Sequence, residues 1–592
     1  MSGAAPTAAG DGPAEVVECD ALVVGSGAGG LSAAVTAAKL GLTVVVAEKE
    51  AVFGGTTARS GGWLWIPGSP VAAAAGVQDS KAAARAYLAG EAGNFFDGAR
   101  VDAFLEAGPR MVAWFQAETA LDFLLGPSFA DYHPDAPGGS DGGRSICAAP
   151  YDGRGLGRHL RRLRPPLREI TLFGMMIGTG EELKHFFNAT RSVKSAGVVA
   201  RLLARWGGDL LAHGRPMRLT NGNALAGRLL RSALDAGVEL WERAPVTELI
   251  REGDGVAGAV VERRGRRVEV RARRGVVLAA GGFPRDVARR AGLFPHTEDG
   301  TEHWSPAPDG NTGDGLALGE SVGGRAQSEL PNAAAWVPVS RVPRRDGTEG
   351  VFPHFVDRSK PGVIAVDPTG RRFCNEADSY HDFGQSLMQA KAERGWDGPP
   401  RAWFVADERA IRRYGLGFAK GYPLVLTPHL RSGYLKRGLS PRALAKAAGF
   451  DPDGFAETLE AWNGPAARGE DPAFAKGSTS YNRSLGDPEH GGPNPCVAPI
   501  RKGPFYAVEV RMGDLGTFAG LMTDARARVT RAGAAIPGLY AVGNDAASVM
   551  GGAYPGGGIT LGPAMTFGWI AARDMAGLAP VTEGEGETAA AG

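Results

Sequence analysis

Residues 19–50, CDALVVGSGAGGLSAAVTAAKLGLTVVVAEKE, constrain the fold more tightly than any other stretch of the chain. The apolar run Ala21 to Val24 reads as a short buried parallel strand. Gly25, Gly27 and Gly30 then form GxGxxG, with Ser26 and Gly29 in the same turn. The alanine-rich stretch 31–40 reads as a helix that Gly41 stops, and Val44 to Val46 as a second strand. Glu48 stands 18 residues after Gly30, with Lys49 beside it. This is the layout of a dinucleotide fingerprint. The first glycine permits the tight turn, the second lets backbone approach a pyrophosphate, and the third lets the helix pack close to the strand. The helix N-terminus then faces the phosphates, and the acid reaches the ribose hydroxyls. Glycine-rich turns also occur in unrelated α/β proteins, but here strand, helix and acid are all in place.

Glycine makes up 89 of 592 residues, about twice its usual share, and it clusters without a collagen-like period. Clustered glycine marks tight turns and close approach of backbone to something else. One cluster follows the fingerprint at once: Gly54, Gly55, Thr56, Thr57, Arg59, Ser60, Gly61 and Gly62. It is a nest of glycines and hydroxyls suited to an anion. Arg59 in it can pair with Glu48 or sit near phosphate. Further on, 275–283 reads as a buried strand ending in Ala280 and Gly281, after an alternating antiparallel stretch that includes Val246. The turn NTGDG carries Asp314, and LYAVGN ends in Gly543 and Asn544. Thr560 and Leu561 precede a helix expected over 562–572, whose N-terminus would stabilise an anionic reduced ring. The order of these anchors points to one long ligand touched by distant segments. No second GxGxxG suitable for a nicotinamide cofactor is seen.

Length and charge bound the remaining choices. A chain of 592 residues exceeds one hydrophobic core. The net charge of +1 excludes the basic excess of a nucleic-acid binder, and the run Arg161, Arg162, Arg164, Arg168 reads as a solvated face. The four cysteines lie far apart, with no CxxC, and fit a reducing, cytoplasmic compartment. The ten histidines show no metal-ligand spacing, so no metal is expected. Residues 1–16 lack the pattern of a signal peptide and, like 579–592, read as disordered tails. No apolar run is long enough to cross a bilayer.

The stretches VVGSGAGG, FGGTTARSGGWLWIPG, DYHPDAPGGSDGGRSI, RRFCNEADSYHDF, GDLGTFAGLMTD, GLYAVGN and YPGGGITLGPAMTFG span most of the chain. Together they resemble the 3-ketosteroid Δ1-dehydrogenases, FAD-dependent enzymes of the fumarate reductase and flavocytochrome c superfamily. The resemblance implies an α/β fold: a discontinuous Rossmann-like FAD-binding domain, 17–332 plus 517–578, with an inserted α+β substrate domain, 333–516. It implies non-covalent FAD, because the glycine loop lacks the histidine that tethers flavin in covalent relatives. It also carries over a catalytic set. Tyr554 and the Gly558 N–H hold the substrate carbonyl, and Gly558 also borders the flavin. Tyr380 takes the α proton and Tyr132 assists it. Hydride passes from the β carbon to flavin, and the electrons then go to an unidentified acceptor. A surface or packing role remains the plainer reading of each tyrosine taken alone, and His133, His159, His185 and His381 read as structural or surface residues.

Two departures bear on the substrate. Residues 165–223 are longer than in short members of the steroid group. They suggest amphipathic helices that cap a cleft, form an oligomer contact, rest peripherally on a membrane, or simply pack. The residues before Tyr380 are Asp378 and Ser379, both polar, where the family often has leucine or proline. A 3-ketosteroid, at Δ1 or Δ4, and a simpler cyclic ketone therefore both remain open. A dicarboxylate needs arginine clamps, yet 539–572 contains no Arg, Lys or His, which disfavours a fumarate reductase-like activity. A non-catalytic electron-relay flavoprotein is the remaining alternative.

Overall fold

The computed structural model describes residues 15–581, apart from 127, 179 and the side chain of Glu181. Most of the expected tails, 1–16 and 579–592, thus lie outside the described residues. Glu15 and Val16, assigned above to the first tail, instead open a strand.

In chain order the elements that position the site are β1 (Glu15–Val24), α1 (Ala28–Lys39) and β2 (Val44–Glu48), then α2 (Glu181–Asn188) and α3 (Val193–His213), then β3 (Glu239–Glu242) and β4 (Arg266–Leu278). The middle of the chain contributes β5 (Ala334–Pro343), β6 (Glu349–Pro353), β7 (Val363–Val366), α4 (Tyr380–Arg394), β8 (Arg401–Asp407) and β9 (Phe505–Thr517). The chain ends with β10 (Arg528–Arg531), β11 (Ala534–Ala541) and α5 (Leu561–Met575).

Two sheets dominate. The first runs β10-β11-β4-β1-β2-β3, parallel from β11 to β3, with an antiparallel ribbon added on β4. Ala21 aligns with Val44 on one side and Gly275 on the other. A parallel strand covered on both faces must be apolar throughout, and Ala21–Val24 and Val44–Val46 are buried accordingly. The last strand of this sheet, β11, comes some 260 residues after β4 in the chain. The second sheet, β6-β5-β9-β8-β7, pairs antiparallel throughout.

Helix α1 starts at Ala28, three residues before the sequence reading places it, despite glycines at 29 and 30 that cost helix stability. Close packing explains them. A Cβ on Gly30 would fall 2.2 Å from the Gly25 carbonyl oxygen, and Gly25 itself has φ +103°. On the other face of α1, a Cβ on Gly568 of α5 would lie 2.5 Å from the Gly29 carbonyl oxygen. Bare backbone on both helices lets α1 and α5 press together, so that their N-termini open on the same space.

The stretch 165–223 does form helices, α2 and α3. Of the 21 residues of α3 only Ser195 is buried, and Val193 and Leu211 are almost fully exposed. No helix among the described residues is long and apolar enough to cross a membrane.

Candidate active site

A cleft of about 1020 Å³ runs across the carboxyl ends of β1, β2 and β11. Of the residues expected to bind cofactor, Gly25, Ser26, Gly27, Gly29, Glu48, Lys49, Gly55, Thr56, Thr57, Ser60, Val246, Ala280, Gly281, Asp314, Gly543, Asn544, Thr560 and Leu561 line it. Gly30, Gly54, Gly61, Gly62 and Gly558 do not. Gly30 serves the packing of α1 on the β1 turn. Gly54 donates its N–H to Ser26 Oγ at 3.0 Å. Gly62, at φ +73°, lies so close to the Asn221 carbonyl that a Cβ would come within 2.4 Å. These glycines shape the loop that the lining residues stand on. Arg59 donates to the Pro306 carbonyl at 3.0 Å, away from both Glu48 and the cleft.

The cleft suits a long anionic dinucleotide. Neither α1 nor α5 carries an acidic residue in its first turn, so both present an uncompensated positive end. Thr57 Oγ1 holds the Ala28 amide at 2.9 Å and fixes the glycine loop against α1. Glu48 accepts from Ser26 Oγ at 2.5 Å and from the Glu50 amide at 3.0 Å, and burial pushes its carboxyl above the ordinary range. Arg164 corrects the sequence reading of a solvated basic run. It is 7% exposed, lines the cleft, and its Nε and Nη2 lack hydrogen-bond partners among the described residues. The nearest carboxylate, on Glu50, is 3.6 Å away. A buried guanidinium with spare donors fits a ligand rich in oxygen acceptors. FAD, when bound here, supplies an acceptor for hydride.

Beside the Gly543–Leu561 end of the cleft the catalytic candidates converge. Tyr132 follows Asp131, which is buried and clamped by Trp65 Nε1 at 2.8 Å and Arg144 at 2.7 Å. The Tyr132 amide donates to the Pro555 carbonyl at 2.9 Å, and the Tyr87 hydroxyl to the same oxygen at 2.7 Å. This fastens the loop to the segment carrying Tyr554. Tyr380 is the first residue of α4, whose N-cap Ser379 accepts from the Asp382 amide. The Tyr132 and Tyr380 hydroxyls are 2.6 Å apart. The Tyr554 ring stacks on Tyr132 at 5.3 Å and meets Tyr380 edge-on at 5.1 Å. All three are buried, and burial, with neighbouring phenols adding to it, pushes their phenols above the ordinary range.

Gly558 has φ +105°, and a Cβ there would sit 2.6 Å from the backbone of Leu64. Its carbonyl accepts from the Trp65 and Gly562 amides at 3.1 and 2.8 Å. Its own N–H donates to no acceptor among the described residues. The peptide is thus locked in place with its donor free, as an oxyanion site requires.

Sequence reasoning misses Tyr481, whose ring lies 4.6 Å from Tyr132 and whose phenol burial pushes up to about 12. Nothing in its local sequence, STSYNRS, marks it. His133 has more than a surface role: its Nδ1 meets Glu91 at 2.9 Å and its Nε2 meets Asp382 at 3.0 Å. Burial opposes its charge, but these carboxylates outweigh that and raise its pKa to about 10. His133 therefore ties the residue after Tyr132 to the first turn of the helix that begins with Tyr380. His381 accepts from the Trp336 amide at 3.1 Å, and burial holds it neutral, down to about 4.

Fold, cleft and tyrosine set together define an FAD-dependent oxidoreductase, and a profile described as "FAD binding domain" matches residues 20–561. The chain is 42% identical over 570 residues to 4-oxocyclohex-2-ene-1-carboxylate 5-dehydrogenase of Sinomonas cyclohexanicum, covering 96% of this chain and 95% of the relative. It is 36% identical over 578 residues to 3-oxosteroid 1-dehydrogenase of Mycobacterium tuberculosis, covering 95% and 99%. The crystal structure of 3-ketosteroid Δ1-dehydrogenase from Sterolibacterium denitrificans in complex with 1,4-androstadiene-3,17-dione superposes with a TM-score of 0.87 at 37% identity, covering 95% and 99%. The chain belongs to the 3-ketosteroid Δ1-dehydrogenase family of FAD-binding flavoproteins. It is an FAD-dependent dehydrogenase of the class acting on CH–CH groups.

Proposed function

We propose that this chain introduces a double bond between the carbons α and β to the carbonyl of a six-membered ring ketone, with ring A of a 3-ketosteroid, at C1–C2, as its substrate. The observation that carries this reading is the Tyr132–Tyr380 hydroxyl pair at 2.6 Å, beside Tyr554 and the free Gly558 N–H. The substrate carbonyl accepts from the Tyr554 hydroxyl and the Gly558 amide, which acidifies the α carbon. Tyr380 takes the α proton and Tyr132 donates to its oxygen while that oxygen is ionised. The apolar, buried setting excludes water from the enolate as it forms.

A second reading is a monocyclic ketone bearing a carboxylate. The 42%-identical relative is named for such a compound and aligns with nearly the whole chain. Anaerobic mixing of the FAD-loaded protein with androst-4-ene-3,17-dione and, separately, with 4-oxocyclohex-2-ene-1-carboxylate decides between them. Flavin bleaching with a new 1,2 double bond in the steroid supports the first reading. Bleaching by the small ring alone moves the substrate to the second, and bleaching by no ring ketone removes both.

For α2 and α3 the reading is a peripheral contact with an anionic lipid surface. Residues 165–223 carry eight Lys and Arg against four Asp and Glu, with Phe173, Val193 and Leu211 exposed among them. Co-sedimentation with anionic but not neutral vesicles tests it, and equal binding to both or to neither discards it.

A further inference from the structure

Arg358 lies on the single 3₁₀ turn Asp357–Ser359 and is fully buried, at 0% exposure. Its Nη1 donates to the carbonyls of Glu376, at 2.6 Å, and Asp378. Its Nη2 is 3.5 Å from the Tyr481 hydroxyl, and its Cζ is 5.9 Å from the centre of the Tyr380 ring. Its Nε has no hydrogen-bond partner among the described residues. No carboxylate among the described residues forms an ion pair with it. Several buried cations differ in this, although Lys360, two residues on, likewise donates only to carbonyls, those of Leu485 and Gly486. Arg372 pairs with Glu376 and Asp471, Lys476 with Glu376, and Arg144 with Asp79 and Asp131.

A buried charge without a counter-charge is costly and is rarely kept without a use. The tyrosine cluster has the opposite need. Tyr380 can take a proton only as a phenolate, and burial among other phenols disfavours that anion. The carbonyls that grip Arg358 stand four and two residues before Tyr380, so the guanidinium is fixed to the strap that leads into the base.

We propose that Arg358 is the counter-charge of the tyrosine relay, held by its planar fork so that the phenolate of Tyr380 forms at neutral pH. This deepens the proposed function and rests on it. Arg358 touches no reacting atom, so it is a positioning residue. In the step it supports, the substrate α C–H bond breaks and the Tyr380 O–H bond forms. The electron pair stays on the substrate as an enolate, whose oxygen Tyr554 and Gly558 hold.

The other charged groups around the relay do not take this role. His133 and Asp382 pair with each other at 3.0 Å. His381 is neutral. The Asp378 carboxyl, pushed up to about 6 by burial, accepts from Asn482 Nδ2 at 2.9 Å, and only the Asp378 backbone carbonyl meets Arg358. Tyr132, Tyr481 and Tyr554 are phenols that share the same anion. Burial also raises Asp131 and Asp545 to about 6, so an ionisation there belongs to carboxyls, and the limb governed by Arg358 lies above it.

The test titrates ultraviolet tyrosinate absorbance of FAD-loaded wild type, Arg358→Gln, Arg358→Lys and Tyr380→Phe, alongside the pH dependence of flavin bleaching by a ring ketone. The limb missing in Tyr380→Phe belongs to Tyr380. It should rise by about one pH unit or more in Arg358→Gln, so that bleaching at neutral pH falls about tenfold or more and recovers in alkali. Lysine cannot reproduce the fork, so Arg358→Lys should move the same limb by a smaller amount. A merely structural role would lower the rate at every pH and leave the limb where it was. An unmoved limb in either FAD-loaded variant overturns the proposal, and the lysine variant decides if the glutamine variant does not load FAD. A shifted limb with no bleaching by any ring ketone removes the proposed function and leaves the pairing of Arg358 with Tyr380 standing.

Discussion

The hydroxyls of Tyr132 and Tyr380 lie 2.6 Å apart although the residues are 248 positions apart in the chain. Tyr132 arrives on a loop clamped through Asp131 by Trp65 and Arg144, and Tyr380 on the first turn of α4. Removing one hydroxyl isolates the contact. Tyr132→Phe should keep FAD and lower the rate of flavin reduction by roughly 10- to 100-fold, because the Tyr380 anion loses its nearest donor. Stopped-flow reduction under anaerobic conditions measures this, and an unchanged rate removes Tyr132 from the relay.

Tyr554→Phe deletes one of two donors aimed at the carbonyl. The loss should be about 10²-fold or more in kcat, with cofactor content unchanged. If only KM rose, Tyr554 would bind substrate without stabilising the enolate.

Gly30→Ala should cost folding or FAD loading rather than chemistry. The added Cβ would meet the Gly25 carbonyl at 2.2 Å and push α1 off the β1 turn. Yield of folded protein and flavin content at purification check this. Flavin is also expected to leave wild-type protein on acid denaturation, since TTARSGG offers no histidine tether. Flavin that stayed with the precipitate would show a covalent link elsewhere.

His133 gives a pH signature. Its folded pKa, about 10, lies above the ordinary 6.5. Its pairing therefore stabilises the fold fully below about 6.5 and loses that contribution as pH rises through about 10. Its side chain is 40% exposed, so solvent screens part of the effect. His133→Ala should lower Tm more at pH 6 than above pH 10. An equal loss at both ends would mean that packing, not charge, holds the residue.

The cofactor cleft is legible in the sequence because its geometry is local: Gly25, Gly27 and Glu48 lie within one strand–turn–helix–strand unit, and their spacing alone implies the turn. The start of α1 is misread by three residues because the glycines at 29 and 30, poor helix formers, are helical through close packing, Gly29 against α5 and Gly30 against the β1 turn. Tyr132, Tyr380 and Tyr554 are found by resemblance, not by pattern. Arg164, Tyr481 and Arg358 escape because distant contacts decide their burial. Arg164 sits in a basic run that looks solvated, and Arg358 is gripped by carbonyls some 20 residues later. Local composition carries no trace of such partners.

The central claim is that Tyr380 is the base, and FAD-loaded Tyr380→Phe mixed anaerobically with a ring ketone that bleaches the wild type tests it most directly. The account predicts full FAD content, intact ketone binding and flavin reduction slowed by roughly 10³-fold or more, within the range for loss of a general base. Reduction at the wild-type rate would contradict it and assign the α proton to another group.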